Sequence, residues 1–203
     1  MRRIILLILA VSTLKYSSGQ ITKNNWLVGG MGLFSSTTFK NDFGLQTHRA
    51  TNLQLTPAIG YFFIDKFAGG LKLNFSTSRN KNIYDGAGYN LAKNNTYGFG
   101  PFIRYYFLNT DKPFNLLIDG SYQYNIERGG GVSTGDDTPI PIPITQYTKN
   151  TFSIAAGPVI YFNTSIGLEF LVGYTTSKYI QNNRGNNSVQ VGLGLQVHLE
   201  KDK

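Results

Sequence analysis

The chain has no cysteine among its 203 residues. That excludes disulfides, thiol catalysis and thiolate-held metal, and it is compatible with an oxidising compartment. Charge is scarce too. Asp, Glu, Lys and Arg make up 15% of the sequence, against roughly 25% in ordinary soluble domains. Nowhere does an apolar run approach the roughly 18 residues that read as a membrane-spanning helix. Histidine occurs only at His48 and His198, which leaves little material for acid–base chemistry. A chain poor in charge and without long apolar runs has to spread its hydrophobicity over alternating positions.

The clearest alternation is SVQVGLGLQVHL, Ser188 to Leu199. Val189, Val191, Leu193, Leu195, Val197 and Leu199 share one parity, and Ser188, Gln190, Gly192, Gly194, Gln196 and His198 share the other. A period of two is the mark of a strand with unlike faces. Here the second face is small and nearly uncharged. Gly60, Gly98, Gly100, Gly157, Gly167, Gly173, Gly192 and Gly194 fall on it along the chain. A soluble barrel would carry many charges on the face opposite its apolar one. Small residues instead suit the inside of a narrow closed barrel whose apolar face meets lipid. The expected fold is therefore all-β, an eight-stranded antiparallel up-and-down transmembrane β-barrel.

Before it stands a secretory signal peptide, expected over residues 1–19. Met1-Arg2-Arg3 is basic, Ile4 to Leu14 is mostly apolar, and Ser17-Ser18-Gly19 is small. The barrel domain is expected over residues 20–203. Loss of Arg2, Arg3 and Lys15 lowers the formal charge by three, from +8 to +5, which is too modest and too dispersed for nucleic acid.

Eight strand candidates follow Gln20: Trp26 to Ser35, Asn52 to Phe63, Phe67 to Ser78, Thr96 to Phe107, Phe114 to Ile126, Thr151 to Phe162, Ser165 to Thr175 and the last stretch. Short turns alternate with long polar connections, expected as periplasmic turns and external loops. The pattern small-Pro-x-Ile-x-aromatic recurs around Pro57, Pro101 and Pro158. Proline cannot donate to a ladder, so each is expected to mark a bulge or twist. The aromatics Tyr61, Phe63, Tyr105, Phe107 and Phe162 adjoin the tight turns, where a periplasmic girdle belongs.

Four ionisable residues fall on the inward parity: Lys72, Arg104, Asp119 and Glu169. Two cations and two anions at similar heights suggest a paired network filling the lumen. A gated or small-solute path and scattered, water-reached charges are the alternatives. Catalysis has little support, because His48 and His198 are expected at opposite ends of the barrel; His48 with Asp42 or a nearby serine is the only imitation of a lipid-modifying enzyme. Asp136-Asp137 lacks further ligand spacing for Ca²⁺. No cofactor and no metal are expected. Cations prevail in the long connections, which hold Lys40, Arg49, Arg79, Lys81, Lys93, Arg128, Lys149, Lys178 and Arg184. They suit an outer leaflet rich in anionic lipopolysaccharide, and solubility of the loops alone is the other reading. The run Pro139-Ile140-Pro141-Ile142-Pro143-Ile144 is expected to be extended and stiff.

On the Gly-rich first strand, the proline repeats and the last strand, residues 26–199 resemble the outer-membrane β-barrel domain family common in Bacteroidota, akin to small OmpA- and OmpX-like barrels. Within that resemblance, Gln190, Gly192, Leu195 and Val197 look like the terminal signal read by the barrel-assembly machinery. The resemblance implies an integral outer-membrane protein of the cell envelope, monomeric, with a structural or surface-interaction role. A narrow porin-like pore is the second reading, and a lipid-modifying enzyme the third.

Overall fold

Alternation becomes pairing. The computed structural model describes residues 21–40, 46–85, 88–109, 112–135, 138–182 and 184–199. The signal-peptide reading lies outside them, as do Asp42, Asp136 and Asp137. Eight strands follow one another: β1 (Trp26–Lys40), β2 (Gln46–Ile64), β3 (Phe67–Tyr84), β4 (Gly88–Tyr106), β5 (Phe114–Gly135), β6 (Thr138–Tyr161), β7 (Ile166–Tyr179) and β8 (Gly185–Leu199). Each runs antiparallel to its neighbours, and β8 returns to β1 to close the barrel. This is the expected eight-stranded up-and-down order.

The strands are longer than their alternation implies. Much of what reads as external loop is ladder: β3 and β4 stay in register from Phe67↔Tyr105 to Tyr84↔Gly88, and β5 and β6 pair out to Gly135↔Thr138. In β3 and β4 the physical reason is that both faces are largely polar there, so the hydrophobic period vanishes while backbone pairing continues; in β6 the alternating Pro139, Pro141 and Pro143 disguise a strand. His48 accordingly lies in β2, not in a loop.

The prolines also differ from expectation. No register shift occurs at Pro57, Pro101 or Pro158. Each instead falls at a gap in the ladder to the following strand, with the same register resuming beyond it. A missing N–H opens the ladder locally without adding a residue. The shifts that do occur lie at Phe62/Ile64, beside the two-residue β2–β3 turn, and at Gly129/Gly131 in the β5–β6 extension.

Large apolar side chains point away from the barrel axis along every strand, among them Leu71 (58% exposed), Ile103 (58%) and Val191 (69%). The buried residues line the inside. At the end with the short turns, Ile21, Leu27, Phe62, Phe102, Tyr106 and Tyr161 form an apolar layer. Residues preceding β1 cross beneath it, held by Asn24 N donating to Phe62 O at 2.9 Å and Lys23 N donating to Asp65 Oδ1 at 2.8 Å. The inward positions of the proline repeats interdigitate small with large. A Cβ on Gly60 would stand 2.8 Å from Phe102 Cζ, so glycine is what lets that ring lie across the lumen.

Candidate functional site: a charged layer across the lumen

Directly above the apolar layer, β3, β4, β5, β7 and β8 each send one polar side chain to the axis. Arg104 from β4 stands at the centre, 6% exposed. Its Nε donates to Asp119 Oδ2 on β5 at 2.9 Å, and its Nη1 to Glu169 Oε2 on β7 at 2.8 Å. Nη1 also reaches Gln196 Oε1 on β8 at 3.1 Å. Lys72 from β3 donates to the other Asp119 oxygen, Oδ1. Gln196 is tied below by the Tyr106 hydroxyl, which donates to its Oε1 at 2.6 Å. The four groups that the inward parity singles out thus touch in one chain, Lys72–Asp119–Arg104–Glu169, with no net charge.

Local sequence explains the placement. Arg104 and Asp119 are direct cross-strand partners. Glu169 lies opposite Gly194. A Cβ on Gly194 would come within 2.5 Å of Glu169 Oε1, so the glycine leaves the carboxylate its room. Lys72 and Arg104 both lie over the Phe102 ring, with Lys72 Nζ 5.0 Å and Arg104 Cζ 5.9 Å from its centroid. Cation–π attraction adds to the ion pairs there.

Amides and hydroxyls continue the network upward. Gln54 Nε2 donates to Asn74 Oδ1 at 3.1 Å, Asn74 Nδ2 to Asn125 Oδ1 at 2.8 Å, and Asn125 Nδ2 to Thr151 Oγ1 at 3.1 Å. Higher still, Lys149 Nζ donates to Glu127 Oε2 at 2.6 Å, and Tyr179 adds its hydroxyl to the same oxygen at 3.2 Å. This second ion pair belongs to residues that sequence reasoning placed in loops, where inward and outward cannot be told apart. Two lumen cavities adjoin the charged layer, of about 60 and about 10 Å³.

The histidines stay apart. His198 is fully buried in the apolar layer, its ring 5.4 Å from Phe62 and 5.7 Å from Tyr161. His48 Nδ1 lies 2.5 Å from Asn82 Oδ1 in the long-connection half of β2. Among the described residues no group of three or more His, Asp or Glu is placed to hold a metal ion.

The aromatics next to the turns form edge-on contacts: Tyr61 with Phe63 (5.6 Å between centroids), Tyr105 with Phe107 (5.2 Å) and Trp26 with Tyr61 (5.3 Å). Phe162 is outward and exposed nearby. In β8, Gln190 and Gly192 line the lumen cavity above the charged layer, while Leu195 faces outward. Val197 is outward by parity and pairs with Val28 and Ile166.

No protein-family model and no curated protein matches the chain. Among solved structures it is similar to the N-terminal β-barrel domain of Pseudomonas aeruginosa OprF, at 14% identity over 87% of this chain and 98% of that one, with a TM-score of 0.40. Neisserial surface protein A (NspA) gives 16% identity over 85% and 96%, with a TM-score of 0.44. The translocator domain of the autotransporter NalP from Neisseria meningitidis gives 9% over 98% and 95%, with a TM-score of 0.30.

Proposed function

We propose that this chain is an integral outer-membrane barrel with a structural or surface-interaction role, not an enzyme, whose lumen is closed by the charged layer. One observation carries the membrane reading: the barrel is apolar outside and charged inside, the reverse of a water-soluble one. Leu195 is 55% exposed while Glu169, on the neighbouring strand, is 2% exposed. In water the outer band would forfeit the burial that drives folding; in lipid it is solvated, and ring closure leaves few backbone groups unpaired. The height agrees. Tyr97 to Phe107 is outward and apolar over ten residue steps. At about 3.4 Å per residue and a tilt of about 40° that is roughly 26 Å, against the roughly 25 Å band of such barrels.

Closure is supported by the ion-paired layer and by lumen cavities too small for a through-path. Outer-membrane lipids, including lipopolysaccharide, are the proposed surroundings, and the last strand is the proposed signal to the assembly machinery. The test is folding of the full chain into phosphatidylcholine vesicles. The unboiled sample is expected to migrate differently from the boiled one and to give no steady conductance in planar bilayers. A freely dissolved monomer without surfactant would refute the membrane reading; steady conductance would refute closure alone.

A further inference from the structure

On the outward face, above the apolar band, the tall side of the barrel carries an unusual arrangement of charge. Arg79 on β3 lies directly opposite Lys93 on β4, and Arg49 on β2 directly opposite Lys81 on β3. Arg128 on β5 lies opposite Asn95, next along β4 on the same face. Like charges directly across a ladder, about 5 Å apart at Cβ, destabilise a sheet. No Asp or Glu shares this face on β2–β5. Arg49, Arg79 and Lys93 have no hydrogen-bond or ion-pair partner among the described residues, although Lys149 and Glu127 pair readily on the inner face. Arg128 donates from Nε to Gln146 Oε1 at 3.0 Å, and its two terminal nitrogens have no partner among the described residues. Lys81 Nζ rests 4.3 Å from the Tyr89 ring centroid.

Two of these cations, Lys93 and Arg128, line an outward groove of about 530 Å³. Lys93 and Arg128 stand at its edge, Gly130 lies between them opposite Lys93, and Leu91, Ile142 and Ile144 supply apolar walls. A side chain at position 130 would enter the groove, since a Cβ there already comes within 3.1 Å of Ile144. Height selects the occupant. Arg128 lies two residues above Ile126, and Arg79 and Lys93 lie four above Phe75 and Tyr97. On tilted strands that is roughly 5–10 Å above the apolar band, the level at which headgroups begin.

From these observations we infer that the outward face of β2–β5 is a binding site for the phosphorylated headgroup of an outer-leaflet glycolipid. Arg79, Lys93 and Arg128 hold the phosphates, Arg49 and Lys81 flank them, and the groove receives the sugar and the upper part of an acyl chain. The inference rests on the membrane reading above. Guanidinium forks suit phosphate oxygens, and the repulsion that the paired cations impose on the sheet is relieved by a polyanion.

The experiment titrates the detergent-folded full chain, followed by native mass spectrometry, with bisphosphorylated lipid A, with its dephosphorylated form and with inorganic pyrophosphate. Bisphosphorylated lipid A is expected to bind at least roughly tenfold more tightly than either comparison. Arg79→Gln/Lys93→Gln/Arg128→Gln is expected to lose that preference, while Lys178→Gln, on β7, keeps it. Each sample is first checked for heat-modifiable migration. A wild-type chain that never shows it overturns the membrane reading and this site with it. A heat-modifiable barrel that binds the dephosphorylated lipid as well, or whose triple variant binds undiminished, overturns the headgroup site alone. Pyrophosphate binding as tight as lipid A overturns the lipid as its occupant.

Discussion

Arg104→Ala is the sharpest perturbation of the lumen. Among the described residues, Glu169 accepts hydrogen bonds from Arg104 alone, through Nη1 at 2.8 Å and Nη2 at 3.5 Å. Asp119 would keep Lys72. Truncation therefore leaves one carboxylate, 2% exposed, with neither a cation nor a donor. Removing one member of a buried ion pair costs about 3–5 kcal/mol, because the partner's desolvation is no longer offset. The barrel can lower that cost by admitting water into the space the guanidinium occupied, and water across the layer makes an ion path. The expected result is a loss of about 3–5 kcal/mol in urea unfolding of the detergent-folded barrel, or a smaller loss accompanied by new conductance in planar bilayers. Arg104→Ala/Glu169→Ala removes the orphan and leaves the neutral Lys72–Asp119 pair. It is expected to be less damaging than the sum of its single changes by about 1–3 kcal/mol. Arg104→Ala within about 0.5 kcal/mol of wild type, with silent bilayers, would refute the coupling of these charges to closure.

Leu71→Arg sits mid-band on the outward face, where Leu71 is 58% exposed. It is expected to cost roughly 2–4 kcal/mol in vesicle-based unfolding, while Thr77→Arg, above the band, costs at most about 1 kcal/mol; equal small effects would mean that the face meets water. The β1–β8 seam pairs only from Trp26↔Leu199 to Gly32↔Leu193, so amides on the facing edges over residues 33–40 and 185–192 are expected to exchange hydrogen faster than those of β3–β5. Uniform protection around the ring would contradict that.

The fold was legible because the outward face of most strands is apolar over the whole band while small and polar residues recur on the inward one; the first strand, with Gly on both parities, left its faces open. Leu71, Leu73 and Phe75 against Lys72, Asn74 and Ser76 fix both the strand and its inward side. The charged layer was legible for the same reason: parity alone assigns Lys72, Arg104, Asp119 and Glu169 to the lumen. Parity does not give contact. That Arg104 reaches Glu169 from β4 to β7 depends on the barrel's diameter and on the room left by Gly194, neither of which a single strand encodes. Strand ends were illegible where both faces become polar, so the cross-strand pairs Arg79↔Lys93 and Arg49↔Lys81 are hidden in stretches that read as loop. The apolar layer was half visible. Phe62, Phe102 and Tyr106 carry the inward parity, yet nothing local says that they meet Tyr161 and His198 in one plug.

Closing a sheet into a ring removes its edges, but the β5–β6 extension makes a new one. Residues 138–147 of β6 rise past its last pair with β7, Lys149↔Tyr179, so one side of the strand is unpaired. Ile140 and Ile144 on it are 60% and 80% exposed, and such an edge invites strand addition. Pro139, Pro141 and Pro143 share one parity. Pro139 and Pro141 stay in register with Thr134 and Val132 of β5, so the N–H they lack belongs on the side away from β5. The free edge thus offers carbonyls but no donors at these positions, and an approaching strand finds half of its ladder missing. Pro139→Thr/Pro141→Thr/Pro143→Thr restores the donors at nearly unchanged register. The expected outcome is association of folded barrels in detergent, measured by light scattering after size exclusion. A triple variant that stays as monodisperse as wild type would mean that these prolines serve stiffness rather than edge protection.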